Sequence, residues 1–249
     1  MSAEDIDPDL RLLRVQLESA FVMSGGRIER VNDPDRSAAP RLCLSGCEAG
    51  NLVFFRRDVG ERTAGSILDL VRAEPPWSDL SAPPRCLDAM VELLSVEAPA
   101  QVRTPALNFV LPHNVRYAAG ATIIRGDAAE GARLLARLME DGMPAHLIEG
   151  GFAGVGDFWA PWCAAIVDGV IAAMAFAARL GPFGADVGVY TFPGFRGHGL
   201  AAAVTASWSS LPSLAGRELF YSTHQTNCSS QRVAARLGLR QFGVSIAID

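Results

Sequence analysis

The stretch Arg196-Gly197-His198-Gly199-Leu200-Ala201 constrains this 249-residue chain more than any other part of it. It stands between a strand-like run, Asp186–Thr191, and a helix-forming run of small residues. The first N–H groups of a helix have no partner within it, and the helix dipole adds partial positive charge there. The glycines let the backbone approach a ligand closely, Ala201 keeps the first turn thin, and Arg196 supplies a charge suited to phosphate oxygens. The pattern predicts a diphosphate held at a helix N-terminus.

Three readings compete for this stretch. One is an ordinary glycine-rich turn, since isolated glycine motifs are weak evidence. A second is the dinucleotide fingerprint G-x-G-x-x-A over Gly197–Ala202, with Glu218 near the distance of a ribose-binding acid. Against it, Glu218 opens its strand where the acid should close one, and only about fifty residues follow, too few to complete a doubly wound domain. The third reading depends on Asn227–Leu239, a helix with Asn227 to Ser229 as caps, Val233 and Leu237 on one face, and Gly238 as its stop.

With both segments in view, residues 118–249 resemble the GNAT superfamily of acyl-CoA-dependent N-acetyltransferases. The family's phosphate-loop pattern, Gln/Arg-x-x-Gly-x-Gly/Ala, is matched by Arg196, Gly199 and Ala201. Its later pattern is matched by Asn227, Ser230 and Leu237-Gly238-Leu239, and Thr191-x-Pro193-x-x-Arg196 fits its passage from strand to loop. The resemblance implies an α/β (α+β) fold, a mixed and mostly antiparallel sheet flanked by helices. Residues 1–117 form a separate α+β unit without a nameable motif, either a degenerate copy of the same fold or an unrelated cap.

The resemblance further implies acetyl-CoA as acyl donor and direct transfer of its acetyl group to a primary amine; a small metabolite is favoured over a protein N-terminus, since the N-terminal unit can close over the acceptor side. The pantetheine arm would lie between the splayed strands Asp186–Thr191 and Glu218–His224, pairing with Val189 and Thr191. The diphosphate would sit on the N–H groups of Gly197, His198, Gly199, Leu200 and Ala201 beside Arg196, with Asn227 and Ser230 contributing from the next helix. The Val189 N–H is the expected donor to the thioester oxygen, a contact of the kind that lowers a barrier by roughly 3 kcal/mol.

Deprotonating the acceptor is the larger demand. An alkylamine of pKa near ~10.4 costs roughly 4–5 kcal/mol to hold neutral at pH 7. Asp186, the carboxylate of its strand, is the candidate base, with His224 as the other. The family's general-acid tyrosine corresponds to Ala234, so the thiolate must be protonated by another group. Ser230 is the candidate, with Ser229, Cys228 and Tyr221 close to it in sequence. Trp159, Trp162, Phe158 and Phe183 are candidate walls for the acceptor. The departure at Ala234 also keeps a second function class in view, a catalytically silent acyl-CoA-binding regulatory module.

Composition narrows the partners. The net charge of −5 argues against broad nucleic-acid or anionic-membrane binding. The acidic N-terminus lacks the pattern of a secretion signal, and the expected location is cytoplasmic. Five cysteines, among them Cys43, Cys47 and Cys86, offer no sensible fourth metal ligand and read as buried thiols, so no metal is expected. A homodimer is compatible with the sequence.

Overall fold

The computed structural model describes residues 6–117 and 120–249. The chain opens with α1 (Pro8–Ala20), started by Asp7, whose carboxylate accepts from the N–H groups of Asp9 and Leu10 at 2.8 and 3.3 Å. Proline in the first turn and a side-chain cap are the signals the sequence carries there. The helix ends at Ala20, although Phe21 continues the helical spacing of Leu10, Leu13 and Leu17. Phe21 opens a hairpin, β1 (Phe21–Ser24) and β2 (Arg27–Val31), and Gly25-Gly26 is its turn rather than a helix stop. Both glycines have positive φ, 57° and 76°, as a type I′ turn requires.

The strands β3 (Leu42–Cys47) and β4 (Gly50–Phe55) follow, then α2 (Glu61–Ala73), α3 (Leu87–Ser95) and β5 (Ala106–Val110). The remainder runs β6 (Thr122–Arg125), α4 (Ala129–Asp141), α5 (Ala145–Glu149), β7 (Trp162–Val167), β8 (Val170–Leu180) and β9 (Gly184–Thr191). It ends with α6 (Leu200–Trp208), β10 (Glu218–His224), α7 (Cys228–Arg236) and β11 (Arg240–Ile248). Helix α4 starts without a side-chain cap. Its N-cap is Ala128, because Asp127 is engaged by Arg125 at 2.9 Å instead of capping. Met139 is 73% exposed, while Leu134 and Leu138 carry the buried face.

Among the described residues nine strands form one sheet in the order β4-β3-β11-β5-β10-β9-β8-β7-β6. Residue 118, the expected start of a second unit, lies outside the described residues, and the sheet draws strands from both sides of it. β5 lodges between β10 and β11, antiparallel to both, and β11 in turn pairs with β3. One face of the sheet carries α2 and α3 over Leu42, Leu44, Val244 and Ile246, and α6 over Ala173, Ala175, Val187 and Leu219. The other carries α1 over Phe220 and Phe242, and α4 over Met174 and Trp162. Trp208 anchors α6, fully buried, its indole N–H donating to the Pro161 carbonyl at 2.8 Å. Burial of such a side chain with its N–H satisfied is the kind of contact whose truncation costs about 3–5 kcal/mol.

β9 and β10 make the one parallel pairing of this sheet among the described residues, joined through α6. A parallel pair needs such a crossover, which brings the helix N-terminus to the carboxyl end of the first strand.

Candidate functional site

Pairing between β9 and β10 is confined to Gly184–Asp186 against Glu218–Phe220. Beyond that rung the strands part. Opposite the parting point β8 carries an extra residue, where register slips between Ala177 and Arg179. A bulge sharpens the local twist and bends the strands around it. β9 from Val187 to Thr191 therefore keeps β8 on one edge and has no strand on the other.

The gap widens into a cleft of about 490 Å³ lined by Val189, Tyr190, Thr191, Phe195, Arg196, Gly197 and the start of α6 on one side. Tyr221, Asn227, Ser229, Ser230, Arg232, Val233 and Arg236 close the other side. Gly197 and Gly199 have φ of 87° and 77°, a backbone shape that side-chain-bearing residues rarely take. That shape turns the loop so that the N–H groups of Gly197 to Ala201 find no protein acceptor among the described residues. The Thr191 hydroxyl is buried at the cleft wall, also without a partner. Arg196 donates its Nε–H to the Thr191 carbonyl at 3.3 Å. Arg196, Arg232 and Arg236 enter no ion pair among the described residues. Unpartnered amides at a helix mouth, three unpaired guanidinium groups and an open strand edge are the complement of a phosphorylated, amide-bearing ligand.

Nine of the ten residues expected to bind the donor thus line one cleft: Val189, Thr191, Arg196, Gly197, Gly199, Leu200, Ala201, Asn227 and Ser230. His198 lies in the loop but its exposed ring is not part of the lining. Asn227 caps α7, its side chain accepting the Ser230 N–H at 3.1 Å.

The catalytic candidates separate. Ser230 faces the cleft, and its hydroxyl lies 2.7 Å from the Tyr221 phenol oxygen. Asp186 sits at the last paired rung, on the α1 side of the sheet, outside the cleft lining. Its half-buried carboxylate accepts from the Ser222 hydroxyl and, at 3.4 Å, from Gln16 of α1. Burial pushes its pKa up, opposed by Ser222, the Arg179 charge and Gln16. His224, the other candidate base, ends β10 exposed to solvent and is not part of the cleft lining. Ala234 is buried in the apolar cluster that also holds Tyr221, so the hydroxyl of an aromatic ring reaches this cleft from β10 and not from α7.

Of the expected acceptor walls, Trp162 and Phe158 are core residues, 3% and 4% exposed, and Phe183 projects from the β8–β9 turn, 67% exposed. Trp159 is half-buried and edge-on to Phe176 at 5.7 Å. Four cysteines are buried and Cys228 is exposed; burial raises Cys43 and Cys86 to about 12 and Cys163 to about 11. Among the described residues no group of three or more His, Cys, Asp or Glu is placed to hold a metal ion, and no helix is long and apolar enough to cross a membrane.

No protein-family model and no curated protein matches the sequence. Solved structures match it along nearly its whole length. A functionally unknown conserved protein from Staphylococcus epidermidis aligns at 8% identity with a TM-score of 0.50, covering 99% of this chain and 98% of that one. A GCN5-related N-acetyltransferase from Kribbella flavida aligns at 15% identity and 0.49, covering 98% and 95%. A GNAT-family protein from Novosphingobium aromaticivorans aligns at 20% identity and 0.45, covering 97% and 95%. Likeness this distant concerns the fold alone. With its large, mostly antiparallel sheet flanked by helices, the chain has a GNAT-type fold.

Proposed function

We propose that this chain is an acyl-CoA-dependent N-acetyltransferase that moves an acetyl group from acetyl-CoA to the primary amine of a small molecule. The observation that carries the reading is the coincidence, in one cleft, of an open β9 edge and the unpartnered amides of Gly197–Ala201. The open edge suits the two amides of a pantetheine arm as an added strand would suit it. The loop amides and Arg196 suit the diphosphate, and Thr191 offers its buried hydroxyl to the same ligand.

When bound, the thioester supplies an activated acetyl group with a thiol as leaving group. The chain's own residues do the rest. The Val189 N–H on the open strand is assigned to the carbonyl oxygen as charge builds on it. Asp186, at the parting rung, is assigned as the proton acceptor for the amine, reached from the α1 side of the sheet. Its raised pKa brings a carboxylate closer to the amine it must relieve of a proton. A net charge of −5 favours approach of a cationic amine over an anionic acceptor.

A silent acyl-CoA-binding module would use the same cleft, and Ala234 is the residue in its favour. Thiol release measured across a panel of small amines, amino acids and peptide N-termini separates the two. Amine-dependent release, slowed about 10²-fold or more by Asp186→Asn with acetyl-CoA binding retained, supports the enzyme. Binding of acetyl-CoA with no release for any amine contradicts it and leaves the module.

A further inference from the structure

Where β10 meets the first turn of α7, the cleft wall holds a pair of hydroxyls, one from Tyr221 and one from Ser230. Tyr221 is 3% exposed, its ring fixed in the cluster of Leu200, Leu219 and Ala234. Its phenol oxygen lies 2.7 Å from the Ser230 hydroxyl and 3.3 Å from the Ser230 carbonyl, and both residues line the cleft. Ser230 is the third residue of a nine-residue helix, and its N–H is held by the Asn227 cap. The phenol has one proton. Donated across the shorter contact to the serine oxygen, it leaves the Ser230 proton to the cleft. The positive end of α7 faces the same space, where a departing sulfur would carry negative charge.

We infer that Ser230, backed by Tyr221, delivers the proton to the sulfur that leaves the acetyl group; the inference rests on the acyl-donor reading of the cleft. The amine nitrogen forms its bond to the acetyl carbon, and the carbon–sulfur bond breaks with its electron pair going to sulfur. The Ser230 O–H proton moves to that sulfur, giving the free thiol, and the Tyr221 proton moves to the Ser230 oxygen. Water returns a proton to Tyr221, while the amine's own proton leaves by way of Asp186. Ser230 is the catalytic residue in this scheme and Tyr221 its positioning residue. Burial raises the phenol's pKa, with the Asp186 charge adding to it, so the proton is present throughout the neutral range.

Calorimetric binding of CoA and of desulfo-CoA to the full chain reads the sulfur contact without turnover. Measured above the ordinary thiol range, the unsubstituted protein should bind CoA about tenfold more tightly, the size expected for a hydrogen bond to a charged group. Ser230→Ala and Tyr221→Phe should each bring the two ligands within about twofold, with desulfo-CoA affinity unchanged. In turnover, Tyr221→Phe should lower kcat by about 10–100-fold with the acetyl-CoA KM within about twofold, and the double variant should be no slower than Ser230→Ala alone. An undiminished preference for CoA and undiminished kcat in both variants overturns the inference while leaving the acyl-donor site standing. Failure of the unsubstituted chain to bind either ligand overturns both. Ser230 is half-exposed on a helix, so its variant reports even where Tyr221→Phe loosens the core.

Discussion

At Asp186 burial and hydrogen bonding pull in opposite directions, and burial is the larger. The folded pKa therefore lies above the ordinary 3.8, so between these values the folded protein holds a proton that the unfolded chain has released. Stability from this group is present at low pH and falls as pH rises through that window. Asp186→Asn should remove the slope, and urea denaturation at a series of pH values should show the variant gaining on the parent as pH climbs, then a constant difference. If Asp186 is the base, the same substitution should lower kcat/KM by about 10²-fold or more and erase the acidic limb of its pH profile. A slope identical in both proteins would show that this carboxylate does not titrate across the window. The sequence marks Asp186 as the carboxylate of its strand, but the residue that orients it was not legible. Gln16 reaches it from 170 positions away, and nothing in the local pattern of α1 distinguishes a core glutamine from a surface one.

Among the elements, α7 shows how far pattern reaches. Its cap, its apolar positions and its glycine stop are local chemistry and are readable in Asn227, Val233 and Gly238. Which of its remaining sides meets the cleft depends on where β10 places the helix, and so Arg232 and Arg236 escape a sequence reading. They lie one turn apart, both line the cleft, and neither has a carboxylate partner among the described residues. Replacing both by alanine should weaken acetyl-CoA binding by about tenfold and flatten its dependence on salt, with little change in melting temperature. An unchanged salt dependence would mean the two guanidinium groups stay in solvent. The β1–β2 hairpin was illegible for a related reason. A glycine pair ends a helix or turns a hairpin equally well, and the strand that follows, Arg27–Val31, is too polar to declare itself.

At the level of the whole molecule, the two halves of the chain hold each other's strands. Removing β5 would leave β10 paired only over the short rung to β9, and would take from β11 one of its two neighbours. Residues 118–249 expressed alone should lack a cooperative urea transition, because most of the ladder of β10, both neighbours of β11 and the cover of α1 are lost together. Co-expression with residues 1–117 should restore it. A cooperative transition from the shorter piece alone would show that the C-terminal unit is self-sufficient. The strands Asp186–Thr191 and Glu218–His224 and the helix after Asn227 were legible, since each has its own period and punctuation. The partners of β5 were not, because pairing across more than a hundred residues leaves no local trace.

Titration calorimetry with acetyl-CoA tests most directly whether the open edge of β9 and the free amides ahead of α6 hold an acyl-CoA. One saturable site is predicted, lost in Arg196→Ala and in Gly197→Asp while both variants keep the parent's circular dichroism. No heat with acetyl-CoA, or equal binding of NAD and acetyl-CoA, would contradict it.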